Sequence, residues 1–320
     1  MIAVRFCDLF CRAWNRRVLD SRVQVFAGLL ALLFLLLSQS GCTNKSSTVA
    51  GGVIEVVAGE NFWSTIAAQL GGTHVHVISI VSNPNADPHE YESNTADARA
   101  FAQANYVILN GAGYDSWGRK LLDANPVRGR KVLNIGELLG KKEGDNPHFW
   151  YSPDYVEQVV NQITKDYQSL DPQDAQYFSE QRVAFEKALS QYHQLITSIK
   201  QTYSGTKIGS TESIFVYMAS TLGLDLISPP AFMNAVAEGN DPPAEAVAEF
   251  QRQINRKQIA VLVYNKQTTT VVTTNIRQLA STHGIPTVGV SETVEPPDAA
   301  FQDWQVAQLL ALQNALKASH

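Results

Sequence analysis

Past its first 41 residues, the 320-residue chain has only one cysteine, Cys42, because Cys7 and Cys11 lie within the leading segment. An internal disulfide, an iron-sulfur cluster and a cysteine nucleophile in the body are thereby excluded. There is no G-x-S-x-G elbow and no P-loop. The glycines of "GAGYDSWG" at 111 lack the spacing and the downstream acid of a dinucleotide fingerprint. "DPHEYES" starts like the zinc-protease helix H-E-x-x-H, but Ser93 stands where the second histidine belongs. No basic cluster occurs beyond the leader, which leaves no electrostatic reason to bind nucleic acid.

What is present begins with a composition of 45% hydrophobic and 17% charged residues, enough for one large domain or two medium ones. Arg5, Arg12, Arg16, Arg17 and Arg22 precede an apolar run of thirteen residues from Val25 to Leu37, followed by "SQSGC". That run is shorter than the roughly 20 residues a membrane-spanning helix needs, so residues 1–41 read as an export signal rather than an anchor. Cys42, directly after Gly41, resembles the lipid-modified cysteine of a bacterial lipoprotein, with Gln39 a departure from the leucine usual three places before it. Ordinary cleavage near Ser38 to Ser40 is the alternative. Losing the leader's five arginines and two aspartates takes the net charge from -5 to -8.

Residues 42–52, ending in "TNKSSTVAGG", are small and polar and read as a tether. From Val53 onward, β-branched runs alternate with helical-length segments: "VIEVVAG" at 53, "HVHVISIV" at 74, "NYVILNG" at 105 and "KVLNI" at 131. The plan repeats with "TKIGS" at 206, "LDLIS" at 224, "IAVLVY" at 259 and "IPTVGV" at 285. Such alternation predicts an α/β fold of two lobes, 53–170 and 205–320, each a parallel four-stranded sheet with flanking helices. Between them Asp171 and Pro172 read as a helix start. Phe178, Phe185, Leu189, Tyr192, Ile196, Ile199 and Tyr203 then recur at helical spacing up to Ser204 and Gly205. One linking helix over 171–204, roughly 48 Å long, is expected to join the lobes.

Candidate chemistry gathers in four loops. His89 in "DPHEYE" and His148 in "NPHFWYSP" both follow a proline beyond a predicted strand, where open parallel sheets bind ligands. In the second lobe Glu212 in "GSTES" and Glu292 in "VSETVEPP" hold comparable places, although either carboxylate alone reads as a surface or helix-terminal charge. Two imidazoles and two carboxylates around a divalent cation sum to zero charge, and nitrogen and oxygen donors without thiolate suit Mn²⁺, Fe²⁺ or Zn²⁺. His74 and His76 alternate along a predicted strand, so both face one side and could chelate, but they read first as the polar face of an edge strand. His193, His283 and His320 lack an evident carboxylate partner.

"NPNADPHEYE", "ANYVILNGAGYDSW", "NPHFWYSP", "TESIFVYMASTLGL" and "VLVYNKQTT", in this order from about residue 53 to 316, resemble the zinc/manganese (cluster A-I) substrate-binding proteins of bacterial ABC transporters. The resemblance implies two α/β lobes on one long helix, with a metal ion as cargo between them. It carries the ligand positions over to His89, His148, Glu212 and Glu292, with Glu295 the alternative for the fourth. Asn146 stands where an aspartate is frequent, and the histidine-rich loop of many zinc-specific members is missing. Both carboxylates and that missing loop favour Mn²⁺ over Zn²⁺. The partners implied are a permease with its cytoplasmic ATPase and, through Cys42, the membrane. The expected protein is an exported monomer that is not an enzyme. A secreted metal-dependent hydrolase using Glu90 as base, a siderophore- or cobalamin-type receptor, or an adhesin are the other readings.

Overall fold

The structure, a computed structural model, describes residues 52–85 and 88–319. The leader, Cys42 and all of the tether but Gly52 lie outside the described residues. Among those described, no helix is long and apolar enough to cross a membrane.

The first lobe is a parallel sheet in the order β2-β1-β3-β4, from β1 (Ile54–Glu60), β2 (Val75–Val81), β3 (Tyr106–Leu109) and β4 (Lys131–Asn134). Its connections carry α1 (Asn61–Gly71), α2 (Thr95–Gln103), α3 (Ser116–Ala124) and the short α4 (Ile135–Leu138), and α5 (Pro153–Leu170) closes it. The second lobe has the same order, β6-β5-β7-β8, built from β5 (Lys207–Ser210), β6 (Asp225–Leu226), β7 (Val261–Asn265) and β8 (Thr287–Val290). All eight strands fall within or overlap the β-branched runs read from the sequence.

Strand alternation sorts the side chains into layers. Val56 and Ala58 of β1, Tyr106 and Ile108 of β3 and Val261 and Val263 of β7 join one core that runs through both lobes. The intervening Val57, Val107 and Leu109 pack on the other face with Phe101 and Trp117, and Leu262 packs with Phe232 and Phe250. This two-residue period buries both faces of each sheet, as crossover helices require.

The single linking helix expected over 171–204 is instead a 3₁₀ turn (Pro172–Asp174), α6 (Ala175–Ala188) and α7 (Ser190–Tyr203). At Leu189 ψ is -6°, against about -42° in a regular α-helix. Leu189 still donates to the Phe185 carbonyl at 3.1 Å and accepts from the His193 amide at 3.0 Å, so the two helices abut at one residue of altered ψ. The apolar stripe crosses the junction intact, since Phe178, Phe185, Leu189, Tyr192 and Ile199 are all buried. Asp171 caps no helix with its side chain. Ser152 does cap α5, accepting from the Tyr155 amide with Pro153 at the first position.

The last strand leads into α12 (Phe301–Ser319), after α8 (Val216–Thr221), α9 (Pro230–Ala237), α10 (Ala244–Asn255) and α11 (Val271–Thr282) have covered the second sheet. Asn61, at the start of α1, binds the loop after β8 reciprocally. Its Nδ2 donates to the Val294 carbonyl at 3.2 Å and its Oδ1 accepts from the Val294 amide at 2.9 Å. Tyr151 adds a second tie, donating to the Ser291 carbonyl at 2.8 Å.

Candidate metal centre

His89, His148, Glu212 and Glu292 come from four separate strand-end segments and meet in one place. His89 sits in a 3₁₀ turn (Pro88–Glu90) beyond β2, and His148 directly precedes another (Phe149–Tyr151) beyond β4. Glu212 lies two residues past β5 and Glu292 two past β8. One donor atom from each residue lies within 4.8 Å of all the others. His89 Nε2 is 3.2 Å from Glu292 Oε2, and His148 Nε2 is 3.2 Å from Glu212 Oε1 and 3.9 Å from Glu292 Oε2. His148 and both glutamates are fully buried, while His89 keeps 23% of its side-chain surface exposed. Neither glutamate is the surface carboxylate that each resembled alone. Glu295 is half-exposed and pairs with Lys266 at 2.6 Å, away from the cluster.

Neighbouring groups hold these side chains in register. The Asn146 side-chain Oδ1 accepts from His148 Nδ1–H at 2.7 Å and from the His148 amide at 3.1 Å, which leaves Nε2 facing the cluster. Asn146 is itself fixed across the lobes, donating to the Ser213 carbonyl at 2.8 Å. The Asn265 amide donates to both carboxylates, at 2.5 Å to Glu212 Oε2 and 2.6 Å to Glu292 Oε1. Tyr114 donates its hydroxyl to Glu292 Oε2 at 2.6 Å. Gln267 accepts from the amides of Glu292 and Thr293, at 2.7 and 3.1 Å, and so shapes the loop that presents Glu292.

Tyr114 owes its place to the glycines around it. Gly111, Ala112 and Gly113 have φ values of 75°, 54° and 90°. A Cβ on Gly111 would come within 2.0 Å of Asn134 Oδ1, so that turn requires glycine on both counts. "GAGYD" is thus a tight turn beyond β3 that aims a phenol at the cluster. Tyr114 and Asn265 were not foreseen as site residues. Both lie in motifs quoted above, "GAGYDSW" and "VYNKQTT", but a hydroxyl or amide donor there has no signature until the carboxylates it serves have been located.

The electrostatics have two layers. Burial raises the Glu292 pKa, but the charges of His89 and His148, with hydrogen bonds from His89 and Tyr114, outweigh it and bring the value down to about 2. Behind the cluster, Glu60 at the end of β1 is fully buried. Burial, then the charge of Asp115 and a hydrogen bond to it, then Glu292, push its carboxyl well above the ordinary range, so it is held protonated. Asp115 is raised to about 6 by burial, against the amides of Asn110 and Gly111 that donate to it at 2.6 and 2.9 Å.

The donor chemistry fits a divalent cation. Among the described residues, His148 Nε2 and Glu212 Oε1 are both sealed from solvent and neither makes a hydrogen bond, although they are 3.2 Å apart. Leaving both unmade costs about 1–3 kcal/mol for each group. A four-coordinate ion with bonds of about 2.1 Å would hold its donors about 3.4 Å apart and satisfy both. Access runs past His89 into a depression of about 500 Å³ lined also by Glu143, Asp145 and Glu238. Glu90, the base of the hydrolase reading, is exposed and outside the cluster.

The family described as ZnuA, zinc-uptake complex component A, periplasmic, matches residues 56–315. The chain belongs to this family. Among its relatives, the "Metal ABC transporter substrate-binding lipoprotein FimA" of Streptococcus parasanguinis is 27% identical over 247 residues, covering 72% of this chain and 77% of its own. The "Manganese ABC transporter substrate-binding lipoprotein PsaA" of Streptococcus pneumoniae is 26% identical over 251 residues, with the same coverage. The Mn²⁺ complex of the Pseudomonas aeruginosa substrate-binding protein FpvC superposes with a TM-score of 0.68. It has 16% identity and covers 84% of this chain and 100% of its own, a likeness of fold. The ZnuA-family chain therefore shares its place among substrate-binding proteins with FimA and PsaA, and its fold with FpvC.

Proposed function

We propose that this protein is the extracytoplasmic receptor of an ABC importer, holding a divalent transition metal on His89, His148, Glu212 and Glu292 and passing it to the permease and its cytoplasmic ATPase. The observation that carries the reading is the convergence of two imidazoles and two carboxylates at the carboxyl ends of both sheets, with His148 Nε2 and Glu212 Oε1 buried, facing one another and without a hydrogen bond. Neutral imidazoles and ionised carboxylates sum to -2, which a divalent ion cancels in a site too dry to solvate it.

The cargo is Mn²⁺ or Zn²⁺, with Fe²⁺ compatible with the same donors. The two carboxylates and the absence of a thiol favour Mn²⁺, whereas the general affinity order favours Zn²⁺ at any fixed set of ligands. Names of relatives point both ways, from manganese for PsaA to zinc for AdcA of Streptococcus pyogenes. Four protein donors fill a tetrahedral sphere and leave no position for an activated water, so the site suits capture and release rather than hydrolysis. The protein works as a monomer, tethered to the membrane through a lipid on Cys42 and the short segment after it. Deleting the protein from its native cell is expected to abolish high-affinity uptake of radiolabelled Mn²⁺ or Zn²⁺, with uptake restored by the wild-type chain but not by His148→Ala. Unchanged uptake of both ions in the deletion strain would refute the proposal.

A further inference from the structure

A second cluster of donors lies in the first lobe, away from the cleft. His74 ends a 3₁₀ turn (Gly72–His74) just before β2, Asp171 follows the last residue of α5, and Asp174 ends the 3₁₀ turn that leads into α6. His74 Nδ1 is 3.2 Å from Asp174 Oδ2 and 4.0 Å from Asp171 Oδ2, and the three donors lie within 4.8 Å of one another. Neither His74 nor Asp171 plays the part the sequence suggested. The histidine stands beside two carboxylates rather than on the strand, and the aspartate caps nothing.

Asp171 is the telling residue. Its side chain is 2% exposed, and Oδ1 has no hydrogen-bond partner among the described residues. Its other oxygen faces the imidazole at a distance too long for a hydrogen bond. A carboxylate so buried normally collects amide or hydroxyl donors. The imidazole is held in place: its ring leans on Tyr177 with centroids 4.2 Å apart and planes tilted by 36°, and it meets the edge of Phe178 at 5.8 Å. The Tyr177 hydroxyl in turn accepts from the Thr73 amide at 3.1 Å. One imidazolium would leave the trio with a net negative charge, whereas a divalent ion on a neutral imidazole cancels both carboxylates.

We propose that His74, Asp171 and Asp174 form a second divalent-cation site, of Zn²⁺ type, that is structural rather than part of the cargo path. Three protein donors on an open side, with His74 28% and Asp174 40% exposed, leave the remaining position to water. The site sits at the amino-terminal end of β2, and the cleft lies at the carboxyl ends of the strands, so the length of this seven-residue strand, about 20 Å, separates the two. A bound ion would clamp the end of α5 and the entry to α6 onto the edge of the first sheet, where the chain leaves the lobe. This inference does not depend on what the cleft binds.

The test is a calorimetric titration with ZnCl₂ of the full chain, purified in detergent and stripped with a chelator, in a background where His148→Ala and Glu292→Gln disable the cleft. One equivalent of Zn²⁺ is expected to remain bound in that background. His74→Phe keeps the ring on Tyr177 while deleting the donor, and Asp171→Asn keeps the shape. Each should weaken the remaining binding at least about 10-fold, with far-ultraviolet circular dichroism unchanged. His74 is partly exposed, so its variant tests the idea even if Asp171→Asn fails to fold. The proposal is overturned if the cleft-disabled chain binds no Zn²⁺, or if His74→Phe leaves its affinity unaltered.

Discussion

Asn146 shows how much a single side chain contributes at the cluster. By accepting from His148 Nδ1–H it selects the tautomer that presents Nε2, but as a neutral acceptor it adds no charge to the ring. Asn146→Asp would turn the contact into a carboxylate–imidazole–metal arrangement and is expected to tighten metal binding. Asn146→Ala should weaken it about 10- to 100-fold, read by competition against a fluorescent chelator. Glu60 makes a different prediction. In the unfolded chain its carboxyl loses a proton near pH 4.5, whereas the folded chain keeps it. Above that pH the unfolded state binds fewer protons, so this group's contribution to stability falls as pH rises, by up to about 1.4 kcal/mol per unit until the folded pKa is reached. Glu60→Gln mimics the protonated acid and should remove that component. The stability difference between variant and wild type should therefore grow in the variant's favour from pH 5 to 7 in urea titrations. At this scale the convergence of His89, His148, Glu212 and Glu292 was legible because each stands just past a predicted strand end and the family resemblance singled out these four among many carboxylates. Tyr114, Asn146 in its supporting role, Asn265 and Gln267 were not, since phenols and amides are common and acquire meaning only from what they touch.

Among elements, the strands were the most readable, because β-branched runs beside crossover-length helices have few other solutions in an α/β chain. The segment after Asp171 was less so. Apolar spacing of three, four and seven describes a continuous stripe, and the stripe is continuous, but spacing carries no information about one residue whose ψ departs from the helix. Leu189 is that residue, and being buried it holds the junction against the core. The contact between α1 and the loop after β8 also escaped notice, since 233 residues separate Asn61 from Val294. Asn61→Ala would strip a buried amide and a buried carbonyl of their partners and is expected to cost about 2 kcal/mol in unfolding free energy. Because Val294 lies two residues from Glu292, the same change should speed metal dissociation in stopped-flow chelation. A loss confined to stability, with dissociation untouched, would show that the loop keeps its shape without the clamp.

Across the whole molecule, two sheets of identical strand order face a shared core and bring four loop ends to one point. Each lobe contributes one half of the cluster, the histidines from the first and the carboxylates from the second. A bound ion would therefore couple the lobes as well as satisfy its ligands, and ligand linkage should raise the unfolding midpoint in proportion to the logarithm of free metal. The central claim is that these four side chains together are the cargo site. It is tested most directly by titrating the chelator-stripped chain with Mn²⁺ and with Zn²⁺, beside His89→Ala, His148→Ala, Glu212→Gln and Glu292→Gln. With every chain carrying His74→Phe to remove the second Zn²⁺ site, the chain with an intact cleft should show one tight equivalent of either ion, and each substitution should weaken that step by more than 100-fold while leaving the fold intact, a loss beyond that expected for a supporting residue. A tight step that survives in His148→Ala and Glu292→Gln alike in that His74→Phe background, or no tight step there with the cleft intact, would contradict it.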